Sequence, residues 1–401
     1  MQIDRQGLPV MTRTLALAAL LLVACEAQAP VDRSRGDGVP VVESTEPVWT
    51  GGDGRLDPVP VLQIGARDGT DPGVFAGLGS VRFLESGKIA AGDSQSDRIH
   101  IFDSSGVHVA TVGRPGDGPD EFRDLGRIYP FPGDSVAGFD FGLSRTLVFA
   151  AQGGAARTIS GLVESGRAAA LGVLSSGSLI SYQNVPTGTG TVSAEWDENR
   201  VLLVARQDGA VREVARVGSA ESARGPQRQR RVLAPSGLMA SASDGFYWAR
   251  TDRYEILKHD SLGSVEFVIR RPVEPAVLTE DQKAEYLEAS LSAVRENSGE
   301  DAAAMYERQL AEAEFAGTRP LFGSAFVDHD QRLWISEAPW PSRFAPPRRW
   351  SVFSEEGRWL GDVTAPENLW IHDARGDLAV GVWRDDVHVE YVRVYRLRSG
   401  A

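Results

Sequence analysis

From residue 80 onward, short apolar runs alternate with polar turns. The first stretch reads "SVRFL", "IAAGD", "RIHIF" and "VHVATV", with "ESGK", "SQSD" and "DSSG" between them. Runs of about five residues that alternate at period two, punctuated by Gly, Ser and Asp, predict β-strands joined by tight turns. Four such strands in about 34 residues predict one small antiparallel sheet.

The pattern then repeats. Residues 64–79 ("IGARDGTDPGVFAGLG") align with residues 112–126 ("VGRPGDGPDEFRDLG"): Gly65 falls on Gly113, Pro72 on Pro119 and Phe75 on Phe122. The second copy continues through "RIYPF", "SVAGFD", "SRTLVF" and "AARTI". Further first turns fall at 175–177, 243–245, 330–331 and 373–376. Counting them gives an all-β fold, a six-bladed β-propeller with four-stranded antiparallel blades over residues 58–398. The six aligned linker residues are then architectural. Gly and Pro turn the chain from one blade's outer strand to the next blade's inner strand, and the Phe plugs the seam. A phosphate loop is the competing reading of "VGRPGDGPDEF", but it has no lysine, and Asp117, Asp120 and Glu121 would repel phosphate.

Arginine opens the third strand at Arg98, Arg145, Arg200, Arg253 and Arg349, and an acid stands five residues earlier at Asp93, Asp140 and Glu195. The sixth copy carries Glu390 at the arginine position. Recurrence at one blade position favours a structural tie across the loop between second and third strands, with ligand contact the alternative. The last blade stops after its third strand, "EYVRVYRLRSGA". The missing strand is most economically "VPVLQIGA" (residues 59–66), which would close the ring and remove exposed sheet edges.

Two stretches break the period. Residues 278–320 read as a helical hairpin inserted between blades 4 and 5: Thr279 and Gln282 form a capping box, Asn297-Ser298-Gly299 breaks the first helix, and a second runs to Phe315. It either packs on the rim or forms a lid or docking element. The fifth-blade loop "EAPWPSRFAPPRRW" offers Trp340, Arg343 and Phe344 as a recognition surface, with self-packing the alternative. Together with Arg98, Arg145, Trp383 and Arg384, these are the candidates for binding a ligand or partner.

The N-terminus changes the picture of where the protein works. In "MTRTLALAALLLVACEA" a basic residue precedes an apolar run of about ten residues, too short to span a bilayer, which needs roughly 20. Residues 22–25 resemble the lipobox of bacterial lipoproteins, which implies cleavage before Cys25 and its acylation as a membrane anchor. An ordinary secretory signal cut near Ala27 or Ala29 is the alternative. Residues 1–25 are thus read as a signal peptide, with Met11 the expected initiator, and residues 26–57, rich in Pro, Gly, Ser and acids, as a flexible tether.

Composition excludes some functions. The formal net charge is −13, and lysine occurs only at 88, 258 and 283, so no basic run tracks a nucleic-acid backbone. One cysteine rules out an intramolecular disulfide. HExxH, GxSxG and CxxC are missing and the six histidines are scattered over different blades, so the catalytic residues stay unassigned, and no metal or cofactor is expected.

Linkers of the form "GxxGxGPxEF" followed by "GxIxxxDxxxxRIxxFD" resemble the NHL and related six-bladed propeller family, over residues 58–398. The resemblance implies a ring with a central channel. It does not fix a function, because that family includes binding proteins, lactonases and lyases. The sequence therefore points first to an envelope binding or scaffold module for a protein, peptide or glycan, and second to a hydrolase or lyase acting in the channel.

Overall fold

The computed structural model describes residues 35–36, 38–50, 52–69, 72–160, 168–185, 196–206, 209–221, 230–311, 313–342 and 345–399. Cys25, Glu195, Arg343 and Phe344 lie outside the described residues.

Four short strands come first: β1 (Arg35–Gly36), β2 (Val39–Glu43), β3 (Gly54–Leu56) and β4 (Leu62–Ile64). A run of antiparallel meanders follows. The first is β5 (Leu78–Phe83), β6 (Ile89–Asp93), β7 (Arg98–Phe102) and β8 (His108–Val112). The second is β9 (Leu125–Phe131), β10 (Ser135–Asp140), β11 (Arg145–Ala150) and β12 (Arg157–Ser160). The third is β13 (Ala169–Val173), β14 (Leu179–Val185), β15 (Trp196–Val204) and β16 (Val211–Glu221). The fourth is β17 (Gly237–Ser241), β18 (Gly245–Arg250), β19 (Glu255–Asp260) and β20 (Val265–Arg270). After helices α1 (Glu280–Ser298) and α2 (Glu300–Ala311) come β21 (Phe322–Val327), β22 (Leu333–Glu337), β23 (Arg349–Phe353) and β24 (Trp359–Thr364), then β25 (Leu369–Arg375), β26 (Leu378–Arg384) and β27 (Glu390–Arg398).

The first strands are neighbours in cyclic order: β5 with β9, β9 with β13, β13 with β17, β17 with β21, β21 with β25, and β25 with β5. Such a closed order of meanders is the arrangement of a β-propeller. The core lies between the sheets. Leu84, Ile99 and Ile101 of the first sheet and its turn pack on Ile128, Leu147 and Phe149 of the second. Val380, Val392 and Val394 of the last meander pack on Val81, Phe83 and Ile89 of the first. Strands covered on both faces lose their alternation: β6 is buried at every position, whereas the outer β8 alternates.

The ring closes where the missing strand was expected. β4 pairs antiparallel with β27, Ile64 opposite Val392 and Leu62 opposite Val394, completing β25-β26-β27-β4.

Residues 38–57 depart from the flexible tether. β2 adds in parallel to β20, with Val41 and Val42 buried. The Val48 and Trp49 amides donate to the Trp359 and Leu360 carbonyls, and β3 pairs with β24 on one side and β27 on the other. The chain thus straps the outer edges of three consecutive sheets. Isolated apolar residues in a Gly- and Pro-rich stretch carry no periodicity, yet unpaired edge strands give them a template. Gly361 makes room for the strap, since a Cβ there would lie 2.4 Å from the Trp49 ring.

Helix α1 begins as expected, with Thr279 as N-cap in a full capping box with Gln282. The second helix is shorter than its pattern: α2 ends at Ala311, and Phe315 instead forms an isolated bridge with Val232. The base of the pair lies between the fourth and fifth sheets, while Ala293, Val294 and Asn297 of α1 sit over Leu78, Trp370 and Arg384. The helices therefore lie across the linker face. Among the described residues, no helix is long and apolar enough to cross a membrane.

Candidate functional site

Most recurring residues hold the blades together. Phe122 is fully buried against Phe149, and Gly113 (φ +76°) has no room for a Cβ, which would lie 2.5 Å from the Phe122 ring. Phe75 is half-buried, edge-on to His100 and Phe102. Gly65 (φ +142°) lies against Tyr391; Pro72 is half-buried and Pro119 exposed. Arg145 donates to the Gly118 and Glu121 carbonyls at 2.6 and 2.7 Å and to Asp140 at 3.4 Å, pinning its linker. Arg98 is exposed and does not reach Asp93. That buried carboxylate accepts the Ala76, Gly77 and Ser96 amides instead.

The aromatic candidates are also engaged within the chain. Trp340 is half-buried beneath the helices, donating to Glu285 at 3.1 Å and lying between Tyr286 and Arg319. Trp383 donates to the Glu367 carbonyl with Arg393 stacked 3.3 Å from its ring, and Arg384 pairs with Glu390.

A different set of residues meets in the channel. The turn-side half of the ring of first strands encloses a cavity of about 240 Å³. Its wall is mixed. The last, first and second meanders supply Asp373, Arg82, Arg127 and Tyr129 together with Phe131; the third, fourth and fifth supply Leu171, Met239 and Phe326 together with Ser241, Asp328 and Gln331. His329, from the turn after β21, has its Nε2 3.0 Å from the Phe83 carbonyl and 3.4 Å from Asp373. His372 lies above, toward the helices.

Most polar groups in this wall already have partners. Tyr129 donates to the Ala170 carbonyl at 2.6 Å. Asp373 accepts the Phe83 and Ala374 amides, each at 2.9 Å. Asp328 accepts from Arg332 and Trp334, and Glu85 accepts the Gly133 and Asp134 amides. The two guanidinium groups differ. Among the described residues neither Arg82 nor Arg127 has a carboxylate within ion-pair distance, and Arg82 has one long contact to the Ile128 carbonyl, 3.4 Å. Burial pushes the Arg82 guanidinium below its ordinary value, opposed by the field of Asp373.

The two channel imidazoles are set apart by their surroundings. Burial, with Arg82 and Arg127 nearby, pushes His372 down to about 3, so it is neutral. Its Nδ1 accepts the Val81 amide at 3.0 Å, which leaves the proton on Nε2. Burial also disfavours charge on His329, but the hydrogen bond and field of Asp373 outweigh it and raise the pKa. No group of three His, Cys, Asp or Glu able to hold a metal occurs among the described residues.

The sequence patterns passed over Arg82, Arg127, His329, His372 and Asp373. The available signal was parity at Arg82, which stands in an inner strand between buried Val81 and Phe83, so period two sets it on the other face; Arg127 is exposed beside half-buried Gly126 and carries no such signal.

No protein-family model and no curated protein matches this chain. Solved structures are similar to it at low identity. One is a Bacteroides fragilis protein described as exported, with 12% identity and TM-score 0.49, covering 90% of this chain and 99% of that one. Another is a DUF4221 family member of Bacteroides vulgatus, with 10% identity and TM-score 0.48, covering 87% and 100%. A third is a gluconolactonase of Xanthomonas campestris, with 11% identity and TM-score 0.43, covering 86% and 99%.

Proposed function

We propose that this chain is a six-bladed, NHL-like β-propeller of the cell envelope, exported and held at the membrane by acyl chains on Cys25, that binds a ligand in its channel. One observation carries the reading: the channel groups Asp373 and His372, able to move a proton, are held by backbone amides, while the two guanidinium groups beside them lack a carboxylate partner among the described residues. Asp373 is occupied by two amides and His372 by one, whereas Arg82 and Arg127 have no carboxylate partner among the described residues. Proton transfer needs a group free to exchange its proton at the reacting atom, and binding needs only a fixed donor.

The hydrolase or lyase alternative has its own support in the His329–Asp373 contact at the cavity wall. In-cell photocrosslinking tests the two. A photoreactive residue at position 239 should capture a ligand in intact cells, and one at the outer-strand position 109 should not. Capture at 109 but not 239 contradicts the channel reading. A captured species that is released chemically changed, with the change abolished in His329→Gln, supports the enzyme instead.

A further inference from the structure

We propose that the channel is a binding site for an organic anion with an apolar body, its charged head between Arg82 and Arg127 and its body against Leu171, Met239 and Phe326. The inference rests on reading the channel as the ligand site, and adds the sign of the ligand's charge and its orientation.

Three observations point to it. The first is a pair of guanidinium groups without an ion-pair contact. The chain has a formal net charge of −13, and many of the described arginines find an acid, as Arg145 finds Asp140, Arg349 finds Asp362 and Arg398 finds Asp57. Arg82 and Arg127 sit in the same cavity wall without one among the described residues. The carboxylates in that wall, Glu85, Asp328 and Asp373, are each occupied. Guanidinium groups remain charged at every physiological pH and present fork-shaped donors that match a carboxylate or phosphate. A cavity with low-dielectric walls strengthens that attraction.

The second observation is the mixed wall. Across the ring from Arg82, the third, fourth and fifth meanders contribute Leu171, Met239 and Phe326 beside their polar groups. A small inorganic anion would satisfy the arginines and leave Leu171, Met239 and Phe326 against water; an anion with an apolar body meets both.

The third observation is size and access. About 240 Å³ exceeds the roughly 150 Å³ that accommodates a benzene ring, so a substituted aromatic or a short aliphatic chain fits. The helices lie across the linker face, which leaves the turn side as the entry.

Titration calorimetry on the detergent-solubilised full chain tests the proposal with 4-butylbenzoate, 4-butylphenyl phosphate and the neutral 4-butylbenzamide. At least one anion should bind about tenfold or more tightly than the amide; the stronger anion tells a carboxylate from a phosphate ligand. Arg82→Gln and Arg127→Gln should each weaken the anion by about tenfold without changing the amide. If a variant fails to fold, the wild type still decides: raising NaCl from about 50 to 500 mM should weaken anion binding and spare the amide. Equal affinity for amide and anions overturns the proposal while leaving the channel as a ligand site. No binding by any of the three overturns both.

Discussion

Arg384 and Glu390 form in the last sheet the tie that Asp140 and Arg145 form in the second, with the two signs exchanged. Arg384 donates to Glu390 at 2.8 Å, and the other oxygen of Glu390 accepts the Leu78 amide at 2.5 Å, fastening the last sheet to the start of the first. Asp140 likewise accepts from Arg145 and from the Arg123 amide at its own sheet's entry. The acid holds backbone amides in both cases, so the acid is the member that the linker depends on.

Glu390→Ala should therefore destabilise by about 2 kcal/mol, since a mostly buried amide and a guanidinium lose their acceptor together. Arg384→Ala, more exposed, should cost under about 1 kcal/mol. Denaturant unfolding of the two variants measures the difference, and equal effects would contradict the assignment.

Phe122→Ala should cost about 3–5 kcal/mol, because the ring is fully buried and Gly113 and Gly138 have both yielded space to it. Phe75→Ala, half-buried, should cost distinctly less. Chemical denaturation of both variants checks the order.

Deleting residues 57–66 removes β4 and opens β27 to solvent, so the whole domain should unfold or aggregate. An unchanged melting temperature would show that the ring does not depend on β4. Trp49→Ala should loosen the strap at Gly361 and lower the melting temperature by a few degrees.

The two channel histidines predict opposite pH limbs. His372 has a folded pKa of about 3 against 6.5 unfolded, so below 6.5 the unfolded chain takes up a proton that the folded chain refuses. That contribution to stability is complete above 6.5 and falls by about 2 kcal/mol at pH 5. His329 has a raised pKa, so its contribution is complete below 6.5 and is lost as pH rises through the folded value. His372→Asn, which keeps an acceptor for the Val81 amide, should flatten the acid limb in a melting series across pH 5 to 8, and His329→Gln the alkaline one.

The period of the fold was legible because every linker must solve the same steric problem. The residue types of the linker at Gly113 and Phe122 recur at Gly65 and Phe75, although Gly65 packs on Tyr391 instead, and the strands between linkers alternate by the pleat. The closure by β4 followed from counting strands. The strap was not legible: Val41, Val42 and Trp49 acquire their partners from edges that exist only once the sheets are assembled. The channel site was hidden for a related reason. Arg82, Arg127 and the His372-Asp373 pair lie far apart in the sequence and meet only because the inner strands close a ring. Trp340 left recognition and self-packing both open, because nothing in its loop foretold that the helices would fold over it.

The most direct test is a crystal of the protein soaked with 4-bromobenzoate, with the bromine located by anomalous scattering. The account predicts the carboxylate within hydrogen-bond distance of Arg82 and Arg127 and the bromine against Leu171, Met239 and Phe326. A bromine outside the channel, or a carboxylate turned toward the apolar wall, would contradict it.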